Sequence, residues 1–176
     1  MISIQSLYQE TIKFAAHHHS QQKIPGTELP YLVHLSNVAM EILIASEKSA
    51  DFQLALAIPV ALLHDCLEDT ETTLEELTDH FGKEVAEGVL ALTKNSALEK
   101  NERMSDSLKR IKQQPKEIWA VKLADRITNL QTPPAHWSDE KIKKYKAEAL
   151  LILNELHDGN RYLAQRLKEK ITSYGI

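Results

Sequence analysis

The sequence contains a single cysteine, Cys66, which excludes an internal disulfide and fits a reducing cytoplasm. It lacks a leader-like segment and any apolar run of membrane length, so the expectation is a cytoplasmic chain that does not engage a membrane. It lacks a basic excess as well: 21 Lys and Arg stand against 25 Asp and Glu, a formal net charge of −4. Nucleic-acid binders carry a positive footprint, so that class is excluded, and a polyanionic substrate must be drawn by a local lysine cluster. Five glycines and six prolines fall mostly between periodic segments, and no stretch shows convincing strand alternation. Nothing repeats, and nothing is of low complexity.

What is present is a soluble globular composition, 43% hydrophobic and 26% charged over 176 residues, enough for one domain spanning 1–176 around a continuous core. The apolar spacing is helical throughout and predicts an all-α domain of about eight helices. A first helix covers 4–22 and a second about 31–47, separated by a loop broken at Pro25 and Gly26. The third starts near Asp51 and contains Pro59, which predicts a kink or break just before His64. Thr73-x-x-Glu76 reads as a capping box opening a short helix that Gly82 closes, and another helix follows over 83–94. Further helices are predicted at 101–114, 116–131, 138–156 and 159–173.

The chain is organised around 61–73, where the apolar run from Leu54 to Leu63 leads into His64, Asp65, Glu68 and Asp69. At helical pitch His64 lies under Glu68 and Asp65 under Asp69. Charge at the end of a buried helix is costly without a metal or a partner. His34 sits on the apolar stripe of the second helix, and Asp125 lies in the apolar helix 116–131 with Asn129 one turn on. Each alone reads as a hydrogen-bonded or ion-paired core residue. Together, His34, His64, Asp65 and Asp125 bring two imidazoles and two carboxylates from three helices. That mixture suits a mid-series divalent ion with open positions and is too oxygen-rich for a closed structural zinc site.

The order H…HD…D resembles the HD metal-dependent phosphohydrolases, a helical superfamily. The longer patterns Pro30-Tyr31-x-x-His34, Leu63-His64-Asp65-x-x-Glu68-Asp69-Thr70, Thr72-Thr73-Leu74-Glu75-Glu76 with His80-Phe81-Gly82, and Val121-Lys122-Leu123-Ala124-Asp125-Arg126-x-x-Asn129 resemble the hydrolase domain of RelA/SpoT homologues. Lys100-x-Glu102-Arg103 and Trp137-Ser138-x-x-Lys141-x-x-x-Tyr145 are similar to the small alarmone hydrolases, over about 5–155. The resemblance implies a hydrolase removing 3′-pyrophosphate from (p)ppGpp- or (p)ppApp-type alarmones. It implies one manganese ion held by His34, His64, Asp65 and Asp125, with Glu68 and Asp69 positioning and deprotonating the attacking water. It implies Asn129 at the ribose-phosphate region and Lys100, Lys141 and Tyr145 at the phosphates. A single ion is also the expectation because the interval between the His-Asp pair and Asp125 offers only His80 as a further histidine.

This sequence departs from the family's pattern where Leu35 follows the first ligand histidine in place of proline. Ile24 occupies the loop position of a phosphate- or base-contacting arginine; Lys23 is the substitute, and the purine preference is left open. Residues after about 156 have no assigned counterpart. His17, His18 and His19 read as a solvated helix face, and Cys66 as a packed thiol. Two competing readings keep the site and change its use: a nucleotidase acting on another phosphorylated nucleotide, and a non-catalytic module that senses a nucleotide.

Overall fold

The computed structural model describes residues 2–175. Among them ten α-helices follow in order: α1 Ile4–His18, α2 Leu32–Glu47, α3 Leu54–Leu63, α4 Cys66–Asp69, α5 Leu74–Phe81, α6 Lys83–Leu92, α7 Arg103–Ile111, α8 Lys116–Asn129, α9 Asp139–Leu156 and α10 Arg161–Ser173. A 3-10 turn, His157–Gly159, joins the last two, and the only extended pairing among the described residues is an isolated bridge between Lys23 and Pro30. The fold is all-α, as the periodicity requires.

Helix α3 is the hub. Every residue from Leu56 to Leu63 is buried, and the helix packs against α1, α2, α6 and α8. A helix apolar on all sides must be enclosed by others, and this one is. Pro59 is accommodated within α3, which runs on to Leu63. The break therefore falls on the His-Asp pair itself: His64 caps α3, and Asp65 adopts φ −103°, ψ −2°, a sparsely used conformation frequent at functional sites.

The start signals written in the sequence are made. Thr73 Oγ accepts from Glu76 N at 3.1 Å, and Gly82 closes α5 with φ 85°, a conformation glycine adopts without a Cβ penalty. Helices α1, α6 and α7 end earlier than their polar flanks suggested. The end of α6 at Leu92 leaves Lys94 in irregular chain, where it has a separate task.

Helix α8 is held from behind. Glu41, 3% exposed on α2, takes a bidentate contact from the Arg166 guanidinium, with Nε at 2.6 and 2.8 Å, which ties α10 to α2. The turn His157–Gly159 lies directly on α8, where a Cβ at Gly159 would stand 2.5 Å from Trp119 Cβ and 3.2 Å from the Ala120 backbone nitrogen. Backbone cannot step aside as a flexible side chain can. Gly159→Ala is expected to destabilise the protein by about 1–3 kcal/mol, the usual cost of overpacking, seen as a lowered thermal midpoint. An unchanged midpoint would mean that this contact is not tight.

Candidate metal and catalytic site

Three helix segments deliver four donor atoms to one point. His34 comes from the first turn of α2, His64 and Asp65 from the break between α3 and α4, and Asp125 from the buried face of α8. His64 Nε2 lies 3.0 Å from Asp65 Oδ2, 3.3 Å from His34 Nε2 and 3.7 Å from Asp125 Oδ1. His34 Nε2 lies 3.6 Å from Asp125 Oδ1 and 3.8 Å from Asp65 Oδ2. Metal–ligand bonds of about 2.1 Å put neighbouring donors roughly 3–3.5 Å apart, so this spacing fits a shared cation. His34, His64 and Asp125 form the one compact buried group of metal-competent side chains among the described residues, and Asp65 stands at its open edge.

The supporting contacts point the same way. His64 Nδ1 donates to Ala61 O at 2.8 Å, which turns Nε2 toward the shared point. The Tyr31 hydroxyl donates to Asp65 Oδ2. Asp125 receives Lys122 Nζ on Oδ2 at 3.0 Å and Asn129 Nδ2 on Oδ1 at 2.5 Å. Burial alone would lower the His64 pKa, but the Asp65 carboxylate, with Asp125, carries it up to about 10. Burial and neighbouring His64 hold His34 low. Against burial, Lys122 and His64 keep the Asp125 carboxyl well below its ordinary value. A positive charge is thus favoured at the centre of the cluster, the charge a divalent cation would supply in place of that proton.

The two carboxylates beyond the pair diverge. Asp69 N bonds to Asp65 O at 2.9 Å, so that turn keeps helical spacing. Asp69 Oδ2 accepts from Gln22 Nε2 at 2.9 Å. Glu68 N also bonds to Asp65 O, at 3.2 Å, and its carboxylate is clamped by Lys94, through the backbone N at 3.1 Å and Nζ at 2.7 Å. Burial pushes the Asp69 pKa up, only partly offset by the Gln22 hydrogen bond. Lys94 is stabilised in its charged form by Glu68, against the cost of burial.

Of the remaining residues singled out by sequence, Asn129 alone among the described residues bonds to this centre. Asn129 is one turn from Asp125 and bonded to it, as their spacing predicts. Tyr145, half-buried, stacks edge-on against Trp137 at 5.3 Å between centroids and lies over the Arg126 guanidinium at 4.4 Å. Lys141 Nζ rests 4.1 Å above the Trp137 ring, Lys23 pairs with Glu28, and Lys100 is exposed in the segment before α7. None of these three lysines bonds to the four donors or to Glu68 and Asp69 among the described residues.

One expectation is overturned. His19 does not lie on a solvated face; it caps α1, is 3% exposed and stacks on Tyr31 at 5.2 Å. The end of α1 at His18 turns the chain inward there, which periodicity extended to residue 22 conceals. Cys66 is packed as expected, fully buried, with burial pushing its thiol up to about 12. Sequence reasoning passed over Lys94, Gln22 and Lys122. Lys122 sits three residues before Asp125, a readable helical pairing, whereas Lys94 and Gln22 reach their carboxylates across 26 and 47 residues with no spacing signal.

Comparison with known proteins agrees with this geometry. The HD-domain family matches residues 11–162. The guanosine-3′,5′-bis(diphosphate) 3′-pyrophosphohydrolase of Mus musculus is 33% identical, covering 95% of this chain and 94% of that protein. Its counterpart in Drosophila melanogaster is 30% identical, covering 96% and 95%. A solved structure of a metazoan ortholog of SpoT that hydrolyzes ppGpp superimposes with a TM-score of 0.83 at 29% identity, over 99% of this chain and 98% of that one. The likeness thus runs past residue 156 into α10, further than the motifs alone indicated. With four donors gathered from H…HD…D and relatives matched over nearly their whole length, the chain belongs to the HD-domain family and, within it, to the small alarmone hydrolases related to RelA/SpoT proteins.

Proposed function

We propose that this chain hydrolyses the 3′-pyrophosphate of a guanosine or adenosine nucleotide phosphorylated at both its 3′ and 5′ positions. The observation that carries the reading is the set of four convergent donors with two further carboxylates one turn away. Full-length relatives that bear the name 3′-pyrophosphohydrolase support the choice of bond. His34, His64, Asp65 and Asp125 would hold one divalent ion, and manganese suits their mixed nitrogen and oxygen donors. When bound, the ion lowers the pKa of water at its open positions and polarises a phosphoryl oxygen.

The other roles fall to the chain's own groups. Asp69, with its pKa raised by burial, accepts the proton of the attacking water more readily than an ordinary aspartate. Glu68, fixed by Lys94, orients that water, and the Lys94 ammonium adds positive charge where phosphate charge develops. Asn129 spends one N–H on Asp125 and keeps its carbonyl oxygen and second N–H for the ribose. Lys100, Lys141 and Tyr145 contact phosphates, and Lys23 joins them by exchanging Glu28 for substrate.

Chromatography of a reaction with manganese and a 3′,5′-bis(pyrophosphorylated) nucleotide tests the reading. The expected products are pyrophosphate and a 5′-phosphorylated nucleoside with a free 3′-hydroxyl. Lys100→Ala and Lys141→Ala should each raise KM about tenfold with unchanged metal content, because a hydrogen bond to a charged group contributes on the order of 1.5 kcal/mol. Release of single phosphates only, or equal rates on nucleotides without a 3′-phosphate, would indicate a general nucleotidase. Binding without turnover would indicate a sensor.

A further inference from the structure

A line of hydrogen bonds runs from the buried thiol behind the metal ligands to the carboxylate assigned the proton. Cys66 Sγ lies 3.5 Å from His19 Nε2, His19 Nδ1 lies 2.5 Å from Gln22 Oε1, and Gln22 Nε2 lies 2.9 Å from Asp69 Oδ2. The donor at each link follows from the chemistry of its end. An ionised carboxylate only accepts, so the Gln22 amide must turn its NH2 to Asp69 and its oxygen to His19. The imidazole must then carry its proton on Nδ1, which leaves Nε2 bare to accept from the thiol. Both side chains are buried, His19 at 3% and Cys66 at 0% exposure, where the uncharged forms this order requires are favoured.

The backbone preorganises the same line. Gln22 N bonds to His19 O at 3.0 Å, and Tyr31 N bonds to Gln22 O at 2.9 Å, so the turn after α1 is pinned to the entrance of α2. His19 lies flat against the Tyr31 ring, whose hydroxyl holds Asp65. The carboxylate selects the NH2 end of the amide, and His19 Nδ1–H anchors the oxygen at the other end.

We propose that His19 and Gln22 are positioning residues for Asp69: His19 anchors the Gln22 amide by its oxygen, and the amide N–H aims the carboxylate at the attacking water. This rests on the role given to Asp69 above. Nitrogen-15 NMR of the protein loaded with zinc, a diamagnetic ion, reads the arrangement without turnover. His19 should show a protonated Nδ1 and a bare Nε2, and a proton on Nε2 or an imidazolium at neutral pH would overturn the proposal.

Kinetics supply the second test. Gln22→Met and His19→Leu should each lower kcat about tenfold or more, with KM and metal content unchanged, because small misplacements of a catalytic group are costly. His19→Asn, whose side-chain N–H falls near the place of Nδ1–H, should recover most of the loss. In the Gln22→Met background His19→Leu should add nothing. Additive losses, or an Asn variant as poor as Leu, would make His19 merely structural and overturn the inference. If the unmodified protein turns over no nucleotide, the proposed function fails, and the tautomer measurement still decides the hydrogen-bond order.

Discussion

Stripping the divalent ion from this protein is expected to abolish turnover, and manganese should restore it better than magnesium, which favours all-oxygen sites. The physical ground is the crowding of buried His34, His64 and Asp125, with Asp65 at the open edge 3.0 Å from His64 and 3.8 Å from His34. Without a cation this arrangement relies on a proton at His64 and the single ammonium of Lys122. A metal at about 100 times its dissociation constant should add about 2.7 kcal/mol of stability, or a rise of roughly 5–10 °C in Tm for a chain of this size. Asp65→Asn should eliminate both the rise and the activity, since a neutral amide is a poor ligand. Full activity in a chelated sample, or the same thermal shift in the variant, would sink the metal assignment.

The all-α architecture was legible because its signals are local. Period-3.6 stripes, the Thr73 N-cap and the glycine stop at Gly82 act over one or two turns, and the structure forms each of them, although the Glu76 carboxylate pairs with His18. Helix ends were less legible. The predicted extensions of α1 to residue 22 and of α6 to residue 94 failed because tertiary contacts outweigh propensity there: Gln22 is drawn to Asp69 and Lys94 to Glu68. Pro59 signalled a break just before His64, and α3, though it runs through the proline, ends there at Leu63.

The cluster of candidate donors was legible for a related reason. Metal donors on apolar helix faces are conspicuous because a buried imidazole or carboxylate contradicts its surroundings, and His34, His64 and Asp125 are 5%, 3% and 7% exposed. The groups that orient those donors and the two carboxylates carry no such contradiction. Lys94 and Gln22 are polar residues in polar segments, and only the folded chain sets them beside Glu68 and Asp69. His19 was misread because it adjoins two other histidines on a helix that, in the structure, ends one residue earlier.

Glu68→Gln and Asp69→Asn are expected to lower kcat by about 10²-fold or more while leaving metal content and KM near those of the parent, the signature of losing the group that orients the water or the one that takes its proton. Both changes are sterically mild. Gln can still accept one of the two Lys94 contacts that Glu68 receives, and the Asn oxygen can still face Gln22 Nε2. The pH profile separates the two residues. Burial raises the Asp69 pKa above the ordinary aspartate value, so the rate should fall as pH drops through that raised value. The acid limb should disappear in Asp69→Asn and persist in Glu68→Gln. The sign for stability is opposite to that of a salt-bridged aspartate. A carboxyl whose pKa is raised by folding favours the folded state when protonated and opposes it when ionised. At neutral pH Asp69→Asn should therefore melt at or above the temperature of the parent, giving up activity without loss of fold. Normal hydrolysis by both variants, with metal retained, would show that neither carboxylate handles the proton.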